Sequence, residues 1–142
     1  MIVVGVDGSA GAARALEFAV REAELRKSEL RVVCAWQAPI TAYAGAMIAP
    51  AIDPATFASE LRQAAQKQVD AALAEHNGVS TNVVLREGNA AAILIDEGHR
   101  AELIVIGSRG LGGFAGLLLG SVGHQVAAHA ACPVVIVPPA AD

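Results

Sequence analysis

The chain has only two lysines, Lys27 and Lys67, and aromatic residues make up just 4% of it. Both shortages speak against nucleic acid as a partner. Phosphate neutralisation needs a patch of Lys and Arg, and single strands need aromatic platforms to stack on. Ten basic residues against fourteen acidic ones give a formal charge of −4, the wrong sign for that role. No apolar run reaches the roughly 20 residues of a membrane-spanning helix, because Gly and Pro interrupt the longest uncharged stretches. The start, Met-Ile-Val-Val-Gly-Val-Asp, is not a cationic leader followed by a cleavage site. The expectation is a cytoplasmic protein with no membrane partner. Two cysteines, Cys34 and Cys132, lie in apolar surroundings without CxxC spacing and read as reduced core thiols.

What is present is apolar material for a core. The 142 residues are 54% hydrophobic and 17% charged, with a mean hydropathy of +0.48, which excludes a disordered chain and predicts one domain over residues 1–142. Strand and helix signals alternate from end to end. Ile2 to Val6 is a β-branched run closed by Asp7-Gly8-Ser9, and Ser9 is an N-cap for a helix with Ala12, Ala15, Leu16, Ala19, Val20 and Ala23 on its apolar face. Leu30 to Trp36 reads as a second strand, followed by an uncharged loop from Gln37 to Ile52. Asp53-Pro54 opens a second helix with a stripe of Phe57, Leu61, Ala65, Val69, Ala72 and Leu73, and Gly78 stops it. Thr81 to Leu85 is a third strand, Gly88-Asn89 introduces a helix to about Arg100, and Leu103 to Ile106 is a fourth strand. A helix over Ser121 to Ala131, ended by Pro133, and a strand over Val134 to Val137 complete the pattern. Such βαβ alternation predicts an α/β fold, a parallel sheet covered on both faces.

The segment after the fourth strand, Gly107-Ser108-Arg109-Gly110-Leu111-Gly112-Gly113, is the most informative. Glycines let backbone N–H groups come close to a ligand, and a helix starting at Ser121 offers unpaired N–H groups, a dipole and a hydroxyl to an anion. Arg109 is the one Lys or Arg after Glu102. Phosphate binding and a turn-rich connection capped by serine are the two readings of these residues. A P-loop is excluded, because no lysine follows Lys67. A dinucleotide fingerprint on Gly110, Gly112 and Gly116 lacks its acidic ribose partner, since no acid lies between Gly110 and Asp142. Asp7, at the carboxyl end of the first strand, belongs beside Gly107 if strands one and four are neighbours. It then meets a ribose hydroxyl or Mg²⁺, or else forms a turn.

Gly107-x-x-Gly110, nine residues, then Gly120-Ser121 matches the nucleotide-binding motif of the universal stress protein family without a gap. Val-Gly-Val-Asp-Gly-Ser at the start and His-Ala-Ala-Cys-Pro-Val-Val-Ile-Val-Pro at the end extend the resemblance over nearly the whole chain. The resemblance implies a five-stranded parallel sheet in the order 3-2-1-4-5, Rossmann-like, with two helices on each face. It implies ATP as the ligand, with Mg²⁺ brought by the nucleotide. Asp7 then lies by the ribose and adenine, Ala35 at the adenine edge, and Val6 and Ile106 beside base or sugar. Gly107, Gly110, Gly120, Ser121 and Val122 then surround ribose and phosphates, and Arg109, the cation read from the residues themselves, joins the candidate site. The last strand, Val134 to Val137, is the expected homodimer edge. Against the family pattern, Glu102 stands where Asp is common and Ala90 where Pro is frequent. Gly5 and Ala35 are small, and Gly116 replaces a basic residue.

Other polar residues read as structural. His124 and His129 point about 140° apart on a helix, poor geometry for one metal. His76 and His99 sit near helix ends, and Trp36 packs at the loop's base rather than on a ligand. Three functions follow: a nucleotide-dependent regulatory protein of the stress response, a slow ATPase, and a nucleotide-free dimeric interaction module. An ATPase needs a base and cationic stabilisation, and only Asp7 and Arg109 stand near, so binding without efficient turnover is favoured.

Overall fold

The computed structural model describes residues 1–37, 53–111 and 118–140. Among these residues five strands, β1 (Ile2–Val6), β2 (Leu30–Trp36), β3 (Thr81–Glu87), β4 (Leu103–Gly107) and β5 (Val134–Val137), alternate with four helices. These are α1 (Ala10–Arg26), α2 (Pro54–Leu73), α3 (Ala90–Gly98) and α4 (Ser121–His129). The strands form one sheet in the order β3-β2-β1-β4-β5, every pair parallel. The expected α/β architecture is therefore the observed one.

Period-two alternation divides the core. Ile2, Val4 and Val6 of β1 and Leu103 and Val105 of β4 pack under α1 and α2. Val3, Ile104 and Ile106 pack on the other face with Ala91, Ile93 and Leu94 of α3 and Val126 of α4. Cys34 belongs to the first layer and Cys132 to the second, and both thiols are free. Burial pushes both thiols above their ordinary pKa, so each stays protonated.

Helix α1 buries the six residues read from its periodicity, starting from Ser9, whose hydroxyl accepts from the Ala12 N–H. It stops at Lys27, which adopts a left-handed conformation and returns its N–H to the last turn. Helix α2 departs from expectation. It ends at Leu73, not at Gly78, because Ala74 already turns its N–H back to Ala71 and the His76 N–H follows onto Leu73. Gly78, at φ +86°, instead makes the turn into β3. Of the α2 stripe only Ala65 and Val69 are buried, since the helix lies over β3, an edge strand that is itself half-exposed.

β3 runs two residues beyond Leu85, because Arg86 and Glu87 still pair with Ala35 and Trp36. β4 likewise takes in Gly107, paired with Val137. Helix α3 ends at Gly98 rather than near Arg100, with His99 as its C-cap. Helix α4 ends at His129, two residues before Ala131, because Ala130 returns to an extended conformation ahead of Pro133. Except for Gln37, the loop read from Gln37 to Ile52 lies outside the described residues, as do Gly112, Gly113 and Gly116. Among the described residues, no helix is long and apolar enough to cross a membrane.

Candidate functional site

β1 and β4 are neighbours, and the strand order reverses between them, which makes their carboxyl ends the switch point of the sheet. The register shows the crevice opening there. β1 pairs with β2 along all five residues, but with β4 only through Ile2, Val3 and Val4. Beyond Val4 the two strands part, and a cavity of about 510 Å³ lies at their ends. That volume falls within the roughly 300–1,000 Å³ typical of small-molecule sites.

All ten residues nominated from the sequence line this cavity: Val6, Asp7, Ala35, Ile106, Gly107, Arg109, Gly110, Gly120, Ser121 and Val122. The sequence reading missed Ser9, Ala12, Val33, Leu94, Ser108, Leu111 and Gly123, and treated Gly5 and Ala90 only as departures from a pattern. Two of these were within reach of periodicity. Val33 shares a strand face with Ala35, and Leu94 lies one helical turn after Ala90. The floor is apolar. Leu94 and Ile106 close over Gly5 so tightly that a Cβ there would sit 3.0 and 3.3 Å from their methyl groups.

The rim is polar and built from backbone. Gly120 is the N-cap of α4 and carries no capping side chain, whereas Ser9, Asp53 and Asn89 cap the other three helices. The Gly120 N–H itself is spent on the Ser108 carbonyl at 2.7 Å, tying the two ends of the glycine segment together. The first N–H accepted within α4 is that of His124, by Gly120. The N–H groups of Ser121, Val122 and Gly123 thus have no acceptor inside the helix, and all three residues line the cavity. Ser121 is the first helical residue, not the cap expected of it if the segment were only a turn.

Asp7 stands at the mouth, exposed. Its Oδ1 accepts from the Ser9 N–H at 2.9 Å and its Oδ2 from the Leu111 N–H at 3.0 Å. Its charge also raises the Cys34 thiol, behind the larger effect of burial. Trp36 stays out of the cavity and meets Phe57 of α2 edge to face, ring centres 5.8 Å apart. His76 contacts Glu24 at 2.7 Å. Among the described residues no three His, Cys, Asp or Glu side chains form a metal site.

An all-parallel, doubly wound sheet with a crevice at its switch point and a bare helix N-terminus on the rim belongs to the α/β proteins that hold ligands at strand ends. Comparison with known proteins narrows this. The model of the universal stress protein family matches residues 1–138, and the chain belongs to that family. It is 36% identical to the universal stress protein Rv2623 of Mycobacterium tuberculosis over 95% of this chain, though it spans only 44% of that relative. The chain thus spans about half the length of the mycobacterial relatives it matches. It is 29% identical to the Bacillus subtilis universal stress protein YxiE, covering 96% of this chain and 97% of that one. Among solved structures, a universal stress protein in complex with cAMP is similar at a TM-score of 0.67 and 25% identity, covering 96% of this chain and 95% of the other.

Proposed function

We propose that this chain binds an adenine nucleotide, ATP with Mg²⁺, at the switch-point crevice and works as a nucleotide-dependent regulatory protein of the stress response. The observation that carries the reading is spatial. Ten residues drawn from four separate stretches of sequence line one cavity of suitable size. In this reading the base rests on the apolar floor of Gly5, Val33, Ala35 and Leu94, with Val6 and Ile106 beside it. Asp7 takes the sugar side. The phosphates face Gly120 and the N–H groups of Ser121 and Val122, with Arg109 as the cation at hand.

The residues fit a nucleotide better than a resident metal. Asp7 is the one carboxylate among the described lining residues, so Mg²⁺ would arrive on the phosphates and would supply charge neutralisation there. Binding acts by population shift: the nucleotide favours one arrangement of the glycine segment and thereby alters a surface read by a partner. The homodimer edge is β5, a strand at the sheet margin with Val134, Val135 and Ile136 half-buried and in need of cover. The chain works in this reading as one cytoplasmic domain.

The test is mass spectrometry of nucleotide released from the purified, denatured protein, with titration calorimetry of ATP, AMP and cAMP with and without Mg²⁺. ATP recovered, or one ATP site per chain, supports the reading. A preference for cAMP, the ligand of the related structure, would keep the crevice and replace the ligand. No binding of any of the three would overturn it.

A further inference from the structure

We infer that Asp7 is a positioning residue that holds the start of the glycine segment in place, and that residue 110 is glycine because of Asp7. The functional consequence rests on the nucleotide reading, but the contact does not. One carboxylate ties the turn between β1 and α1 to a segment remote in sequence. Asp7 follows β1 directly, its Oδ1 holds the N–H of Ser9, and Ser9 caps α1. Its Oδ2 takes the N–H of Leu111, 104 residues away, in the segment after β4.

Gly110 supplies the second observation. Its φ is not among the positive values seen at Gly8, Gly78 and Gly88, so its backbone conformation does not call for glycine. A Cβ built there meets the same Asp7 Oδ2, closer than any real contact, and its other near neighbour is the Asp7 Cγ at 3.6 Å. Among the described residues, its two chain neighbours apart, nothing else lies within 4 Å. The carboxylate and the missing side chain are therefore one device. Asp7 fills the space a Cβ would need and uses it to fix the Leu111 amide.

The device bears on binding in two ways. Engaged by two backbone donors, the carboxylate charge is partly compensated and repels phosphate less. The start of the glycine segment, beside Arg109, is also held before the ligand arrives, which lowers the ordering cost of binding.

The test is a double-mutant cycle on the full chain, with Asp7→Ala, Gly110→Ala and the pair together. Asp7→Asn, which keeps one acceptor oxygen, is the conservative variant. Amide hydrogen exchange at Leu111, by NMR on ligand-free protein, is the first readout. Asp7→Ala and Gly110→Ala should each speed exchange at Leu111 about tenfold, Asp7→Asn less, and the pair no more than Asp7→Ala alone. ATP affinity is the second readout. Gly110→Ala should weaken it about tenfold in the parent and under about twofold in the Asp7→Ala background. Unchanged Leu111 exchange in Asp7→Ala, or equal costs of Gly110→Ala in both backgrounds, overturns the inference. If none of the proteins binds ATP the nucleotide reading fails, and the exchange cycle alone still decides the role of Asp7.

Discussion

Replacing Gly120 by valine separates ligand binding from folding, and the structure sets both magnitudes. Residue 120 has φ −73° and ψ 168°, an extended conformation open to any L residue. A Cβ there would meet the Ser108 carbonyl oxygen at 3.6 Å and the Arg109 Cα at 3.7 Å, ordinary contact distances. The protein itself therefore leaves room for a side chain. Valine is a poorer N-cap than glycine by about 1 kcal/mol, and a stiffer unfolded chain returns about 0.4–1 kcal/mol. The melting temperature should fall by no more than about 4 °C. The ligand has no such latitude if its phosphates sit against this residue. Losing one charge-assisted hydrogen bond and part of the helix-end field amounts to about 2–4 kcal/mol, or about 30- to 700-fold in Kd. Titration calorimetry with ATP and Mg²⁺, paired with thermal melts, reads both quantities. A Gly120→Val protein that melts normally and binds ATP as tightly as the parent would remove the phosphates from this end of the crevice.

Gly107→Ala should fail in the opposite way. A Cβ at residue 107 would lie 2.8 and 2.9 Å from the backbone carbon and oxygen of Gly11, so urea unfolding should show a loss of about 1–3 kcal/mol; parental stability would sink the packing argument. Glu97→Gln should cost about 2–3 kcal/mol in the same assay. Glu97 is 3% exposed and bridges Arg31 and Arg86, and the value sits below that of a fully enclosed pair because both arginines reach water. Acid should weaken the fold through Asp53 and Glu102. The Thr56 hydroxyl and the Ala55 and Thr56 N–H groups hold Asp53 below the usual carboxylate range, and the N-terminal amine and Ser28 do the same for Glu102. A folded pKa below the unfolded one means stability that is present above the unfolded value of about 4 and lost as pH falls through the folded values. Asp53→Asn with Glu102→Gln should therefore flatten the melting profile below about pH 4; a profile as steep as the parent's would assign the acid sensitivity to other groups.

The fold was legible because its signals are local and agree with one another. The α1 face followed from apolar spacing alone, since that helix lies over the middle of the sheet, where every inward residue meets strands. The reading weakened at the sheet margin. Over β3 the α2 stripe was real as a pattern, but only two of its six residues are buried, because periodicity reports which face turns inward and not how much lies beneath it. Helix ends slipped for a similar reason. Gly78 carries a strong stop signal, yet α2 ends where its own carbonyls are satisfied, five residues earlier. The cavity was half legible. Motif residues named the rim, while the floor depends on strands and α3 converging across the sheet, as Gly5, Val33 and Leu94 do. No single stretch of sequence states that convergence.

The glycine motif itself shows where sequence reading stops. Its letters are equal on paper, and a phosphate-binding segment explains each of them as close approach to a ligand. In the structure they answer to different neighbours. Gly107 is glycine because α1 begins against it, with the Gly11 backbone where a Cβ would go. Gly110 is glycine because the Asp7 carboxylate fills the space. Gly120 alone has neither a backbone nor a side chain in the way, so it is the position at which a missing side chain is left to be explained by a ligand. Retention of the motif in a relative is therefore weak support for nucleotide binding wherever it rests on the first two glycines, since backbone packing accounts for Gly107 and the Asp7 contact for Gly110. Loss of Gly120 while Gly107, Gly110 and Asp7 are kept would mark a family member that preserves the architecture and has given up the nucleotide.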